Sequence, residues 1–406
     1  MFIKFMQISF IKLLYEEEND MKKNKGITLV ALVVTIVVLL ILAGVSINLV
    51  LGNNGIIAKA KEAETKSAEA SQNDLKGMNG LVSEMEGALA GNGSTGSGSG
   101  NGNTGSGNNF VTKNTEVTYP DGKVWIPEGF KVADDSASTV QGGVVIEDKD
   151  RNQFVWVPVA TLADYKRTAY STNVATEETD TATNSIKINY SSSKNSEYFT
   201  EALPEDEKTS VERYKGFYIG RYEAGDKENT EAKTLRSSND VTKTVTIKAN
   251  QAPYNNVTKT QAIYLAEGFA TKQGYKAKTK LVSSYAWDTT IAFLQKVNSD
   301  YGNSSEEGNY YNITFSYTDI TGASQTKGKK SEELVPTGQT TPVCNIYDMG
   351  GNVCEWTTES CSNTDYPYAV RGGSCYHNFA SVPAGNRNNN SDDAYDDYGF
   401  RLTLFM

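Results

Sequence analysis

Between Asn345 and Arg401 the chain carries three glycine-centred motifs: NIYDMGGNVCEW, RGGSCYH and YGFRL. Glycine enters positive φ cheaply, so Gly350-Gly351 before Asn352 predicts a tight turn, and Arg371-Gly372-Gly373-Ser374 repeats that chemistry. Glu355 and Trp356 then read as outward and inward residues of a half-buried strand. Gly399-Phe400-Arg401 opens a final strand that sends Phe400, Leu402 and Leu404 to a core. With 35 Gly and only 9 Pro, the chain favours turns, short strands and polar loops.

Together these motifs resemble the formylglycine-generating-enzyme family, the sulfatase-modifying-factor domain. That family carries an N-x-Y-D-M-x-G-N-V-W-E-W block, then R-G-G-S, then G-F-R. The matching residues are Asn345, Tyr347, Asp348, Met349, Gly351, Asn352, Val353, Glu355 and Trp356, with Arg371 to Ser374 and Gly399 to Arg401. The resemblance implies a loop-rich, C-type-lectin-like α+β fold over residues 110–406. It does not by itself imply the activity.

Upstream, residues 27–51 form an uncharged apolar run. Roughly 20 apolar residues span a bilayer as a helix, so this run predicts a long N-terminal membrane-spanning helix. Lys22, Lys23 and Lys25 place its N-terminal side in the cytoplasm and everything after Leu51 outside. Met21 reads as the true start. The basic leader ending in Gly26, directly before Ile27, resembles a type IV prepilin or pseudopilin leader, which is cut after that glycine. The family's usual Glu at the fifth position after the cut is Ala31 here. A plain membrane anchor and a subunit assembling with pilin-like partners both stay open.

Residues 52–90 have helical spacing and predict an extracellular stalk. Residues 91–109, GNGSTGSGSGNGNTGSGNN, bury nothing and form a flexible tether of roughly 25 Å mean reach. Beyond it, Pro120-Asp121-Gly122 and the DKDRN run at 148–152 predict turns between paired strands. Phe154 to Pro158 and Gly216 to Glu223 match early strands of the resembled family. Residues 161–211 are polar and read as an insertion loop. Helices are expected over residues 259–271 and 283–297, the second with Trp287, Ile291 and Leu294 on one face. Residues 301–341 read as loops.

The net charge of −10, with no Lys/Arg block past the N-terminus, argues against nucleic acid as a partner. For catalysis, the resembled enzymes bind copper through two cysteines spaced C-x4-C after R-G-G-S. Here Cys375 follows Ser374 directly and no cysteine follows Cys375. The resemblance therefore implies a domain without that catalytic pair, and no copper is expected; an oxidoreductase using Cys375 is the alternative. His377 is the only histidine, which rules out a histidine triad. Cys354 replaces a family Trp, so the resemblance implies a Cys354–Cys375 bridge, leaving Cys344 and Cys361 to pair; the other two pairings, and four free buried thiols, stay open. The matching family region lies at a calcium site, which makes Asn352 and Glu355 expected Ca2+ ligands, hard oxygen donors suiting a hard cation. The other reading has Asn352 capping its turn and Glu355 pairing with Arg371 or Arg401.

The tail YHNFASVPAGNRNNNSDDAYDDY is rich in Tyr, Asn and Asp. Tyr offers amphipathic contact area at low entropic cost, and Asn and Ser offer adaptable hydrogen bonds. Tyr376, Asn378, Asn388, Asn389, Asp393, Tyr395 and Tyr398 are the expected ligand contacts. The tail also resembles the variable C-terminus of diversity-generating-retroelement targets. The expectation is a single-pass cell-membrane protein displaying a binding domain for a peptide, glycan or surface ligand.

Overall fold

Asp121 sits in the first expected turn, between paired strands Thr115–Tyr119 and Gly122–Ile126, and its two carboxylate oxygens tie that turn to a later loop by accepting the Val140 and Gln141 amides at 2.7 and 2.8 Å. The computed structural model describes residues 109–406 except 173–174, 191–195, 230–240 and 304–306. The expected leader, membrane helix, stalk and most of the tether, Gly26 and Ile27 included, lie outside the described residues. Among the described residues no helix is long and apolar enough to cross a membrane.

The domain is mostly sheet. A six-stranded sheet runs, in spatial order, Lys278–Leu281, Leu402–Phe405, Gly216–Gly220, Gln153–Pro158, Val145–Glu147 and Lys131–Val132. Strand alternation sends Phe154, Trp156 and Tyr218 into one apolar cluster and Val155, Val157 and Ile219 into another. Burial on both faces explains why FVWVP is continuously hydrophobic rather than alternating. Helix Lys259–Gln273 covers the first face with Leu265, Ala266 and Phe269; helix Ser284–Leu294 covers the second with Trp287, Ile291 and Leu294. Both start at hydroxyl caps. Thr258 and Gln261 form a reciprocal capping box, and Ser283 accepts the Ala286 amide at 3.1 Å.

A second sheet runs Arg387–Asn390, Tyr368–Arg371, Cys354–Cys361, Ser196–Thr200, Ser185–Tyr190 and Ala175–Asp180, and strand Tyr398–Phe400 pairs in parallel with Cys354–Cys361. Residues 161–211 are therefore not simply an insertion loop. They supply three antiparallel strands and helix Glu205–Tyr214. Ile186, Ile188 and Phe199 bury against Cys361 and Ala369, so this segment carries part of the sheet under the C-terminal motifs. Residues 301–341 hold one hairpin, Phe315–Thr318 with Ser324–Lys327.

Candidate functional site

The glycine motifs make the turns expected of them. Gly351 has φ 73° and Asn352 φ 60°, while Gly372 and Gly373 have φ 85° and 69°. A Cβ on Gly351 would meet the Asn309 carbonyl oxygen at 2.6 Å, and one on Gly373 the Val382 oxygen at 2.5 Å, so space as well as φ requires glycine. The strand after Asn352 departs from expectation: Glu355 is as buried as Trp356, at 1% and 0% exposure. Burying a carboxylate requires a partner, and Arg401 supplies it. Its Nη2 lies 2.7 Å from Glu355 Oε1 and its Nε 3.1 Å from each oxygen, while its guanidinium also donates to the Gly220 and Asp348 carbonyls.

These bonds bear on the calcium expectation. Both Glu355 oxygens face Arg401. Asn352 Oδ1 accepts from Asn309 Nδ2 and the Val335 amide, and its Nδ2 donates to Glu223 and the Val335 carbonyl. A hard cation would have to displace a buried guanidinium, so these two residues do not fit a calcium site. They lock the turn to the last strand.

Of the readings open for the cysteines, the structure shows the one with free buried thiols. Cys344, Cys354, Cys361 and Cys375 are all free thiols and all buried. Cys344 packs beside Val343 and Ile346, whereas Cys361 packs with Ile186 and Phe199 in a separate cluster, so these two do not pair. Cys354 and Cys375 pack in different apolar clusters, and neither is bonded to another sulfur. Cys375 is fully buried, its sulfur 3.5 Å from the Glu332 carbonyl, and burial pushes its thiol far above the ordinary range. A thiol so held is a poor nucleophile.

The tail residues divide between faces. Tyr376 and Tyr395 are exposed at 36% and 44%, and Asn378 and Asp393 are exposed with them. Tyr376 donates to Asp396 Oδ2 at 3.0 Å, and Ser391 donates to Asp393. Tyr395 packs on Tyr398 at 5.0 Å between centroids, and Tyr398 packs edge-on to buried Trp356 at 5.3 Å and accepts from Asn390. Asn388 and Asn390 share a strand face; Asn389 points the other way and donates to Glu197 at 2.9 Å. Asn389 is thus not part of a common face with Tyr395.

Hydrogen bonds to two backbone carbonyls and one carboxylate hold this tail. Asn256 donates to the Tyr395 carbonyl at 3.0 Å, Asn255 donates to the Asp396 carbonyl, and Thr260 gives its amide and hydroxyl to Asp392 at 3.1 and 2.6 Å. Underneath lies a residue that sequence reading missed. Arg387, wholly buried, donates to Glu359 at 3.0 and 3.1 Å, to Glu177 at 2.6 Å, to the Thr168 carbonyl at 2.9 Å and to Asp288. Nothing local in NRNNN separates it from a surface arginine.

Residues 108–404 match the model of the FGE-sulfatase family, described as the sulfatase-modifying factor enzyme 1-like domain. Among solved structures, CarF is 16% identical, covers 47% of this chain and 87% of its own, and has a TM-score of 0.34. PvdO from Pseudomonas aeruginosa is 15% identical over 64% of this chain and 98% of its own, at 0.34. Variable protein 1 of Treponema denticola is 15% identical over 63% of this chain and 96% of its own, at 0.35. No curated protein matches the chain. With residues 108–404 matched, and the Asn-Val-x-Glu-Trp, Arg-Gly-Gly-Ser and Gly-Phe-Arg turns built as the motifs require, the chain belongs to the FGE-sulfatase family of sulfatase-modifying factor enzyme 1-like domains.

Proposed function

We propose that this chain is a surface-displayed recognition protein whose family domain binds a peptide, a glycan or another surface without catalysis. Residues 27–51 anchor it in the cell membrane, and the 91–109 tether lets the domain reorient toward its ligand. The carrying observation is the tail: Tyr376, Asn378, Asp393 and Tyr395 project to solvent, while the chain around them is held through the Asp392 carboxylate, the Tyr395, Asp396 and His377 carbonyls and the Phe379 amide. A rigid backbone presenting Tyr, Asn and Asp loses little entropy on binding, which is how such surfaces gain affinity. The chemistry of the cysteines supports the same reading: the C-x4-C pair is missing from the sequence, and Cys375 is inaccessible.

The test is a screen of the full chain against glycan and displayed-peptide libraries, followed by Tyr376→Ala and Tyr395→Ala. Each should weaken the selected ligand by roughly tenfold or more, as aromatic contacts do at binding hot spots, with the melting temperature unchanged. Binding that survives both substitutions would place the ligand elsewhere. Copper-dependent O₂ consumption with a cysteine peptide would replace the reading with an oxidase.

A further inference from the structure

The motif turns bring together a group that the binding face does not use. Cys354 opens its strand with its amide on the Asp397 carbonyl at 2.7 Å, which sets Asp397 beside it. His377 is carried by the Ser374 turn, its amide donating to the Ser374 carbonyl at 3.0 Å. One ligand atom each from Cys354, His377 and Asp397 lies within 4.8 Å of the other two. The Ser374 hydroxyl bridges two of them: it donates to Asp397 Oδ2 at 2.7 Å and lies 2.9 Å from His377 Nδ1. Cys354 and Asp397 are buried and His377 is half-buried, so the group has a closed floor and one side open to solvent.

We propose that Cys354, His377 and Asp397 form a three-ligand site for a borderline-soft divalent ion, with zinc as the natural occupant. Zinc takes thiolate, imidazole and carboxylate together in a tetrahedron, and three protein ligands leave a fourth position for water or Ser374. Sulfur and nitrogen donors select against calcium and magnesium. The ligand atoms must draw in by about 1 Å to reach zinc bond lengths of roughly 2.0–2.3 Å. The ion would enter among the three ligand atoms, beside the Ser374 hydroxyl that now bridges Asp397 and His377. Loading displaces the Cys354 thiol proton to solvent and leaves the thiolate on the metal. The bound ion would tie the strand after Asn352, the Arg-Gly-Gly-Ser turn and the approach to the last strands to one point, beneath Tyr376 and Asp396. This inference does not depend on the recognition reading.

The test uses the full chain, stripped of metal under reducing conditions and titrated with Co2+ and then Zn2+. One equivalent of Co2+ should produce a near-ultraviolet thiolate charge-transfer band, which Zn2+ abolishes, and Zn2+ should raise the melting temperature. Cys354→Ser and His377→Gln should each remove the band or cut affinity by roughly tenfold or more, while Cys375→Ser and Tyr395→Ala leave both intact. The proposal is overturned if no thiolate band forms, if the band survives Cys354→Ser, or if it follows Cys375 instead. Should Cys354→Ser fail to fold, the half-buried His377→Gln decides alone: an unchanged band and Zn2+ affinity there refute the site.

Discussion

Arg387→Met tests the buried network under the tail. In the native domain Arg167, Arg371 and Arg387 face Glu177, Asp288 and Glu359, so the cluster is balanced in charge. Arg387 touches all three carboxylates and is 0% exposed. Methionine roughly keeps the volume but leaves one uncompensated negative charge and removes the bonds to Thr168 and the carboxylates. Breaking a buried pair in this way costs about 3–5 kcal/mol, which for a domain of this size lowers the melting temperature by about 6–10 °C.

The pH dependence is more telling. Burial by itself raises the Glu359 pKa, but Arg387 first, then Arg167 and Arg371, pull it down to about 2. A carboxylate depressed on folding stabilises the native state above its unfolded pKa, about 4.3, and that stability is lost as pH falls through the folded value. The variant loses the largest depressing charge. Its deficit should therefore be largest near neutral pH and shrink as pH drops from about 4.3 toward 2. Urea denaturation of both proteins at several pH values measures this. A penalty under about 1 kcal/mol, typical of a surface pair, or one that does not change between neutral and acid pH, would refute the reading.

Gly351→Ala should destabilise the domain by about 1–3 kcal/mol, the usual cost of a forced backbone conformation, because φ is 73° and the new Cβ would strike the Asn309 carbonyl; an unchanged denaturation midpoint would show that the turn relaxes freely. Saturating Ca2+ should leave the melting temperature of the metal-free chain unchanged, since Arg401 already holds both oxygens of Glu355. A clear rise would restore calcium to this turn. Alkylation under denaturing, non-reducing conditions should count four thiols per chain, with slow labelling in the native state because all four are buried. A count of two or none would reinstate disulfides.

Where the sequence was informative, the information was local. Pro120-Asp121-Gly122, the DKDRN turn and the glycine pairs at 350–351 and 372–373 mark chain reversals because only certain residues tolerate those dihedrals or satisfy those amides from their own side chains. Helices Lys259–Gln273 and Ser284–Leu294 were legible from apolar spacing, while their hydroxyl caps, Thr258 and Ser283, emerged only in the structure. Residues 185–190 alternate as SIKINY, a strand signal overshadowed by the polar composition around it.

What sequence could not decide was the partnership of charged and metal-binding groups. By residue type, Arg371, Arg387, Arg401, Glu355 and Glu359 read as surface residues, yet all five are at most 1% exposed. Each is buried because a partner far along the chain neutralises it, and Coulomb attraction depends on distance in space, not in sequence. The same holds for Cys354, His377 and Asp397. Parallel pairing of Cys354 with Tyr398 brings Asp397 to the thiol, and the glycine turn brings His377. Local dihedral preference was written in the residues themselves; which buried groups meet was settled only when strands distant in the chain closed on one another.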